Sequence, residues 1–300
     1  MLPQQETSTH DLIKSAIFSS CNDLGVHTFQ EYKGRDWRAD VYVASDTKNF
    51  AFEIQMSPQS LKKTLERQKK YIRDGVIGCW LFEKAPSKLS DERPDLPLFY
   101  ITEQEGKSFS VSLSGRKELP LQDFLRNFLI GNIKFCDVVR TAREQKVKLV
   151  FYEMECWKCK AMNHLYFVEP SFRSACNAVI HSDESLWGSD KHAHRPEIIA
   201  LAREFIGTEQ GKHIKLGDIK QRFSKTVGDS YMSFGCYSCD SIFGDWFVME
   251  AELEIRYGYG QVATIERSIT LDEIIKLDIP HWCYPSELPF CDSTQKQSVG

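Results

Sequence analysis

The chain has 300 residues, with 38 Lys and Arg against 42 Asp and Glu and a net charge of −4. Its apolar and charged fractions are those of a globular protein, and the length suggests two domains. A negative balance excludes a protein that coats nucleic acid by global charge, so any such contact has to come from a local basic patch. No run of 18 apolar residues occurs, and Met1 to Glu6 lacks the basic start and apolar core of a signal peptide. No membrane span and a cytoplasmic location are therefore expected.

In chain order, Leu12, Ile13, Ala16 and Ile17 follow helical spacing from His10 to Cys21, with Ser8 or Thr9 as cap. Strands are predicted at Val26 to Tyr32, Arg38 to Ala44 and Phe50 to Met56. Ser57-Pro58 predicts the start of a second helix, which runs to about Arg73 before Asp74-Gly75 ends it. Val76 to Phe82 reads as a buried strand. The order is helix, three strands, helix, strand.

Pro86 to Pro97 reads as a polar loop and Leu98 to Leu113 as two strands. Leu121 to Ile130 reads as a helix with Leu121, Phe124, Leu125 and Phe128 on one face, followed by a connector to Gln145. A second domain is expected near Val147, where Lys148 to Met154 forms a strand leading into a cysteine pair. Glu197 to Phe205 and Ile214 to Phe223 are predicted helices, Trp246 to Tyr257 and Val262 to Ile269 predicted strands, and the residues after Pro289 a loose tail. The expected partition is residues 1–115, a helical connector at 116–146, a second domain at 147–290 with a helical insertion, and a tail at 291–300.

Arg38-Ala39-Asp40-Val41 and Phe52-Glu53-Ile54-Gln55 are the most informative stretches. Side chains alternate along a strand, so Glu53 and Gln55 share one face and Phe52 and Ile54 the other. A turn that pairs Val43 with Phe50 also sets Asp40 opposite Glu53. Two facing carboxylates repel unless a proton or cation lies between them, and oxygen ligands suit Mg²⁺ or Mn²⁺. Glu31, at the end of the preceding strand, offers a further carboxylate. The alternative is a set of solvated edge charges.

Those stretches, with the element order, resemble the PD-(D/E)xK nuclease superfamily. Arg38-Ala39-Asp40-Val41, Phe52-Glu53-Ile54-Gln55-x-Ser57, Arg67-x-x-x-Tyr71, Cys79-Trp80 and His10-x-x-x-Lys14 are similar to the CoiA-like competence proteins. The resemblance implies an α/β (α+β) chain: a restriction-endonuclease-like domain followed by a zinc-ribbon-like α+β domain. It implies that Asp40, Glu53 and the carbonyl of Ile54 hold a divalent ion, with Glu31 contributing acidity and Gln55 standing where the superfamily more often has Lys. Neutral Gln55 can orient a water but adds no charge. The implied activity is metal-dependent endo- or exonucleolytic hydrolysis of DNA, single-stranded or branched, in uptake, processing or defence. The alternative is an inactive nuclease fold that binds DNA or acts as an adaptor for a protein partner.

Leu61 to Arg73 is rich in basic residues, and Lys63, Arg67 and Lys70 share one face. With Tyr71, they are candidates for gripping a phosphate backbone, against the plainer reading of a solvated helix face. Cys156-x-x-Cys159 and Cys236-x-x-Cys239 have knuckle spacing and would supply four thiolates to a structural zinc. The other six cysteines read as buried free thiols. His181, His192, His194 and Cys176 invite a second metal site, although Asp183, Glu184 and Ser189 favour a mobile polar loop. His164 and His281 read as surface or packed histidines.

Overall fold

The structure, a computed structural model, describes residues 8–84, 92–113, 116–181, 186–187, 193–256, 258, 260–285 and 290–292. It is mixed α+β and divides into two units. The first comprises Met1–Thr141, Ser174–Ala178 and Ile275–Gly300; the second comprises Ala142–Arg173 and Val179–Ile274. This differs from a linear partition because late segments pair with early ones. His281–Cys283 pairs with Lys134–Cys136, and Lys276–Leu277 with Val139–Arg140.

The first unit opens with α1 (Thr9–Asp23), β1 (His27–Lys33), β2 (Arg38–Ala44), β3 (Asn49–Gln55), α2 (Leu61–Arg73) and β4 (Val76–Phe82), in the predicted order. β5 (Leu98–Gln104), β6 (Ser108–Leu113) and β7 (Lys117–Pro120) follow, then α3 (Leu121–Leu129). The seven strands lie side by side in chain order. β3, β4 and β5 run parallel in the middle of the sheet, and α2 makes the crossover between β3 and β4. Central strands with both faces covered need apolar residues throughout, which Phe50-Ala51-Phe52 and Cys79-Trp80-Leu81-Phe82 provide. On one face Ile13 and Ile17 of α1 and Phe124 and Phe128 of α3 pack over Val41, Phe52 and Phe99. On the other, Tyr71 of α2 packs with Ala51 and Trp80.

α2 starts later than Ser57-Pro58 suggests, because Ser60 supplies the cap: its hydroxyl accepts the Lys63 N–H at 3.3 Å. β4 requires glycine at position 78, where a Cβ would collide with the Gln68 amide oxygen. That oxygen accepts the Trp80 indole N–H at 2.7 Å, locking α2 to the sheet. The first half of the Pro86 to Pro97 loop lies outside the described residues. The expected tail does not hold at its start, since Cys291 is fully buried.

The second unit is built on a three-stranded antiparallel sheet with Glu144–Glu155 between Met162–Val168 and Gln261–Thr270. A helix, Pro196–Ile206, buries Ile198, Ala202 and Phe205. Two predictions are corrected here. Ile214 to Phe223 is not a helix: Ile219–Ser224 pairs with Asp229–Phe234 as a hairpin. Gly217 precedes it, where a Cβ would strike the Gly235 carbonyl. Trp246 to Tyr257 is not a strand: Asp245–Arg256 is a helix with only Val248 fully buried. The alternation of Ala251, Leu253 and Ile255 suggests a strand, but the Met-Glu-Ala-Glu-Leu-Glu run is made of strong helix formers.

Phe124 is completely buried, with ring centroids 4.9 Å from Phe99 and 5.5 Å from Phe128. Phe124→Ala should lower the unfolding free energy of the chain by about 3–5 kcal/mol, read from urea denaturation curves.

Candidate functional site

β2 pairs with β3 with Val43 opposite Phe50, the register that places Asp40 and Glu53 at the same level. The ladder ends at Val41 and Phe52, and beyond it the Asp40 side chain takes over the role of a backbone acceptor. Its Oδ2 accepts the Ile54 N–H at 2.8 Å. Asp40, Glu53, Ile54 and Gln55 then line one cavity of ≈ 470 Å³, together with His10, Met56, Ser57 and Arg67. His10 was no sequence candidate, yet its Nε2 lies 3.5 Å from Asp40 Oδ2. The signal was present in the His10-x-x-x-Lys14 opening of the first helix.

Glu53 is only 2% exposed, facing α2. Arg67 donates to its Oε1 at 2.6 Å, and the Tyr71 hydroxyl donates to the same oxygen. The Arg67 guanidinium is also stacked over Trp80, 4.9 Å from the ring centroid. Burial pushes the Glu53 carboxyl up to about 7; Arg67 and Tyr71 pull it back, and the neighbouring Asp40 charge adds to the rise. Burial and the Glu53 charge raise the Tyr71 hydroxyl as well. The site therefore holds a carboxylate that a single arginine only partly compensates.

The remaining candidates separate. Glu31 is opposite Asp40 in the strand sequence but does not line the cavity. It adopts a left-handed backbone, φ 52°, and binds Lys14 Nζ and Arg38 Nε, each at 2.8 Å. The Lys14 hydrogen bond holds Glu31 below the usual carboxylate range. Gln55 does line the cavity, but its amide nitrogen donates to the carbonyl of Ser57 at 2.8 Å and to its hydroxyl at 3.0 Å. Tyr71 is completely buried, so its place as a nucleic-acid contact is corrected: it serves Glu53 instead. Lys70 donates to the Asp36 carbonyl at 2.9 Å, and Lys63 is exposed.

In the second unit the two Cys-x-x-Cys turns are built alike. The Cys156 N–H donates to the Ala161 carbonyl and the Lys160 N–H to the Cys156 carbonyl. Cys236, Ser241 and Asp240 repeat both bonds. Lys160 and Asp240 occupy equivalent left-handed positions, φ 63° and 55°. The turns bring four sulfurs within 4.8 Å of one another, with Cys156 and Cys239 at 3.7 Å and Cys159 and Cys236 at 3.6 Å. Hydrogen bonding from the Ser241 side chain, then its backbone, holds Cys239 down to about 6, while Cys159, against the Ala161 backbone hydrogen bond, is raised by burial and the three neighbouring sulfurs. These four cysteines could hold a metal ion such as zinc.

A second cluster joins Cys176, His281, Cys283 and Cys291 in the first unit. Cys176, Cys283 and Cys291 are free and buried and His281 is packed, as the sequence suggests; what the spacing does not show is that the four come together. His181 and His194 are not part of it, and His192 lies outside the described residues. His194 is buried edge-on against Phe234, and burial holds it down to about 4. His164 is packed, accepting the Lys215 N–H on Nδ1 at 3.0 Å.

Residues 6–101 match the family described as competence protein CoiA, nuclease-like domain. No curated protein and no solved structure matches the chain significantly. Among the described residues, no helix is long and apolar enough to cross a membrane.

Because the Glu53 carboxyl is raised from 4.5 to about 7 on folding, the native state binds more protons between those values. Its contribution to stability therefore falls as pH rises from about 4.5 to 7, by about 2–4 kcal/mol in metal-free buffer. In urea unfolding with a chelator present, Glu53→Gln should remove that part of the decline. An equal slope in both proteins would refute the raised carboxyl.

Proposed function

We propose that this chain, with its CoiA-type nuclease-like domain at residues 6–101, is a metal-dependent deoxyribonuclease acting on single-stranded or branched DNA. The observation that carries it is the convergence of Asp40 and the raised, buried Glu53 on one cavity. An ion with two positive charges would satisfy both carboxylates, and an all-oxygen set of Asp40, Glu53 and the Ile54 carbonyl suits Mg²⁺ or Mn²⁺. When bound, such an ion lowers the pKa of a coordinated water and stabilises charge on a phosphoryl oxygen.

The chain's own residues prepare the site. The Ile54 N–H fixes the Asp40 carboxylate. Arg67 and Tyr71 fix Glu53 through one oxygen, Oε1. Gln55 keeps its amide nitrogen on Ser57, which turns its carbonyl into the atom that can accept from a water. His10 stands at the Asp40 side of the cavity, where an imidazole can accept or release a proton. Lys62, Lys63 and Lys69 on the exposed side of α2 would meet the phosphate backbone without reading sequence. In the second unit Cys156, Cys159, Cys236 and Cys239 would hold a structural zinc, all four positions being filled by protein.

The absence of a lysine at position 55 favours a second reading, a binding or adaptor protein that works through DNA or a protein partner. Cleavage of labelled single-stranded, duplex and branched DNA in Mg²⁺ or Mn²⁺ separates the two. Asp40→Ala and Glu53→Gln should each lower the rate by about three orders of magnitude or more while the proteins stay folded. Binding without cutting by the wild type would establish the adaptor instead. Lys63→Ala should weaken binding on every DNA alike and reduce the salt slope by about 1, measured by anisotropy titration across salt.

A further inference from the structure

Cys176, His281, Cys283 and Cys291 are all buried, and their ligand atoms lie within 4.8 Å of one another. None of the three cysteines forms a disulfide. His281 and Cys283 are two residues apart on one short strand, so they present to the same side. Cys176 is carried by the loop Ser174–Ala178, whose turn is closed by the Asn177 N–H donating to the Ser174 carbonyl and by Asn177 at φ 62°. Cys291 comes from the last described stretch of the chain. Three separated segments thus converge on one buried point.

We propose that this cluster is a second, structural zinc site with three thiolates and one imidazole. Four observations support it. The distance from Cys176 Sγ to His281 Nε2 is 3.6 Å. With metal–sulfur bonds near 2.3 Å and metal–nitrogen bonds near 2.0–2.1 Å, a tetrahedron has sulfur–nitrogen edges of about 3.5 Å. His281 Nδ1 lies 3.3 Å from the Ile279 carbonyl, a contact that puts the ring proton on Nδ1 and leaves the Nε2 lone pair for a metal. The cluster is buried with no open coordination position, which distinguishes a structural site from a catalytic one. Three buried thiols and a buried imidazole have few other ways to satisfy the ring nitrogen in so little space.

The expected consequence is a chain that carries two zinc ions rather than one. The second ion would tie Ser174–Ala178 and the strand His281–Cys283 into the first unit, close to where that strand pairs with Lys134–Cys136. Cys136 faces His281 in that pairing and interacts with Cys283, yet it is outside the set whose ligand atoms all lie within 4.8 Å. It should remain a free thiol.

The test is elemental analysis of the full chain purified without chelator. The wild type should contain two zinc per chain; Cys283→Ser and Cys291→Ser should each contain one, as should the double variant Cys156→Ser/Cys236→Ser. Cys136→Ser should keep both. Because a serine variant can fail to fold, His281→Cys supplies a second measurement: zinc should stay at two per chain. In the cobalt-substituted protein the visible bands should then move toward those of an all-sulfur site. One zinc in the wild type, with none left in Cys156→Ser/Cys236→Ser, overturns the proposal. Loss of a zinc from Cys136→Ser, or a cobalt spectrum unchanged by His281→Cys, overturns the ligand set.

Discussion

A carboxylate with almost no solvent contact dominates the first unit. Glu53 sits on a strand buried on both faces, and the low polarity around it opposes its own charge. Arg67 and Tyr71, one helical turn apart on α2, both reach it, so the helix that crosses from β3 to β4 cannot rotate without uncovering a buried charge. Trp80 and Gln68 strengthen the same contact by joining α2 to β4. Asp40 enters from the neighbouring strand because the β2–β3 ladder stops one residue before it and its side chain takes the Ile54 N–H. The site is assembled by strand register on one side and by helix anchoring on the other.

Three of the six basic side chains on α2 are held by carboxylates of the protein. Arg67 serves Glu53, and Lys70 and Arg73 bind Asp36. The chain's overall charge is negative, and the α2 side chains left for a polyanion are Lys62, Lys63 and Lys69. Contacts of this kind position a backbone and do not select a sequence. Discrimination among DNA structures would have to come from the shape of the cavity and its surroundings.

Cysteine has different roles along the chain. Cys21 and Cys79 are packed as small apolar groups in the core of the first unit, and burial pushes the Cys21 thiol up to about 12. The paired turns around Cys156 and Cys236 repeat one backbone conformation, hydrogen bond for hydrogen bond, and place four sulfurs together across 80 residues of sequence. The cluster around His281 has no such local motif. It depends on chain segments that meet only when the C-terminal strand returns to the first unit.

The helix–strand order to Phe82 and the pairing register that brings Asp40 to Glu53 were legible in the residues alone, whereas Arg67 and Tyr71 stood out only through the family resemblance. The order and the register follow from local rules: apolar periodicity, turn residues, or alternation along a strand. The two Cys-x-x-Cys pairs were legible for the same reason, since their chemistry lies within four residues. Side-chain contacts between distant elements settle that Tyr71 supports Glu53 rather than a ligand, that Lys14 and Arg38 take Glu31 away from the cavity, and that His10 lies beside Asp40. The tertiary structure also turned Asp245–Arg256 into a helix, where period-two spacing and local propensity pointed in opposite directions, and Ile219–Ser224 into a strand of a hairpin. The buried Cys176, His281, Cys283 and Cys291 were invisible for a simpler reason. Their proximity is a property of strand pairing between distant parts of the chain, and no spacing in the sequence records it.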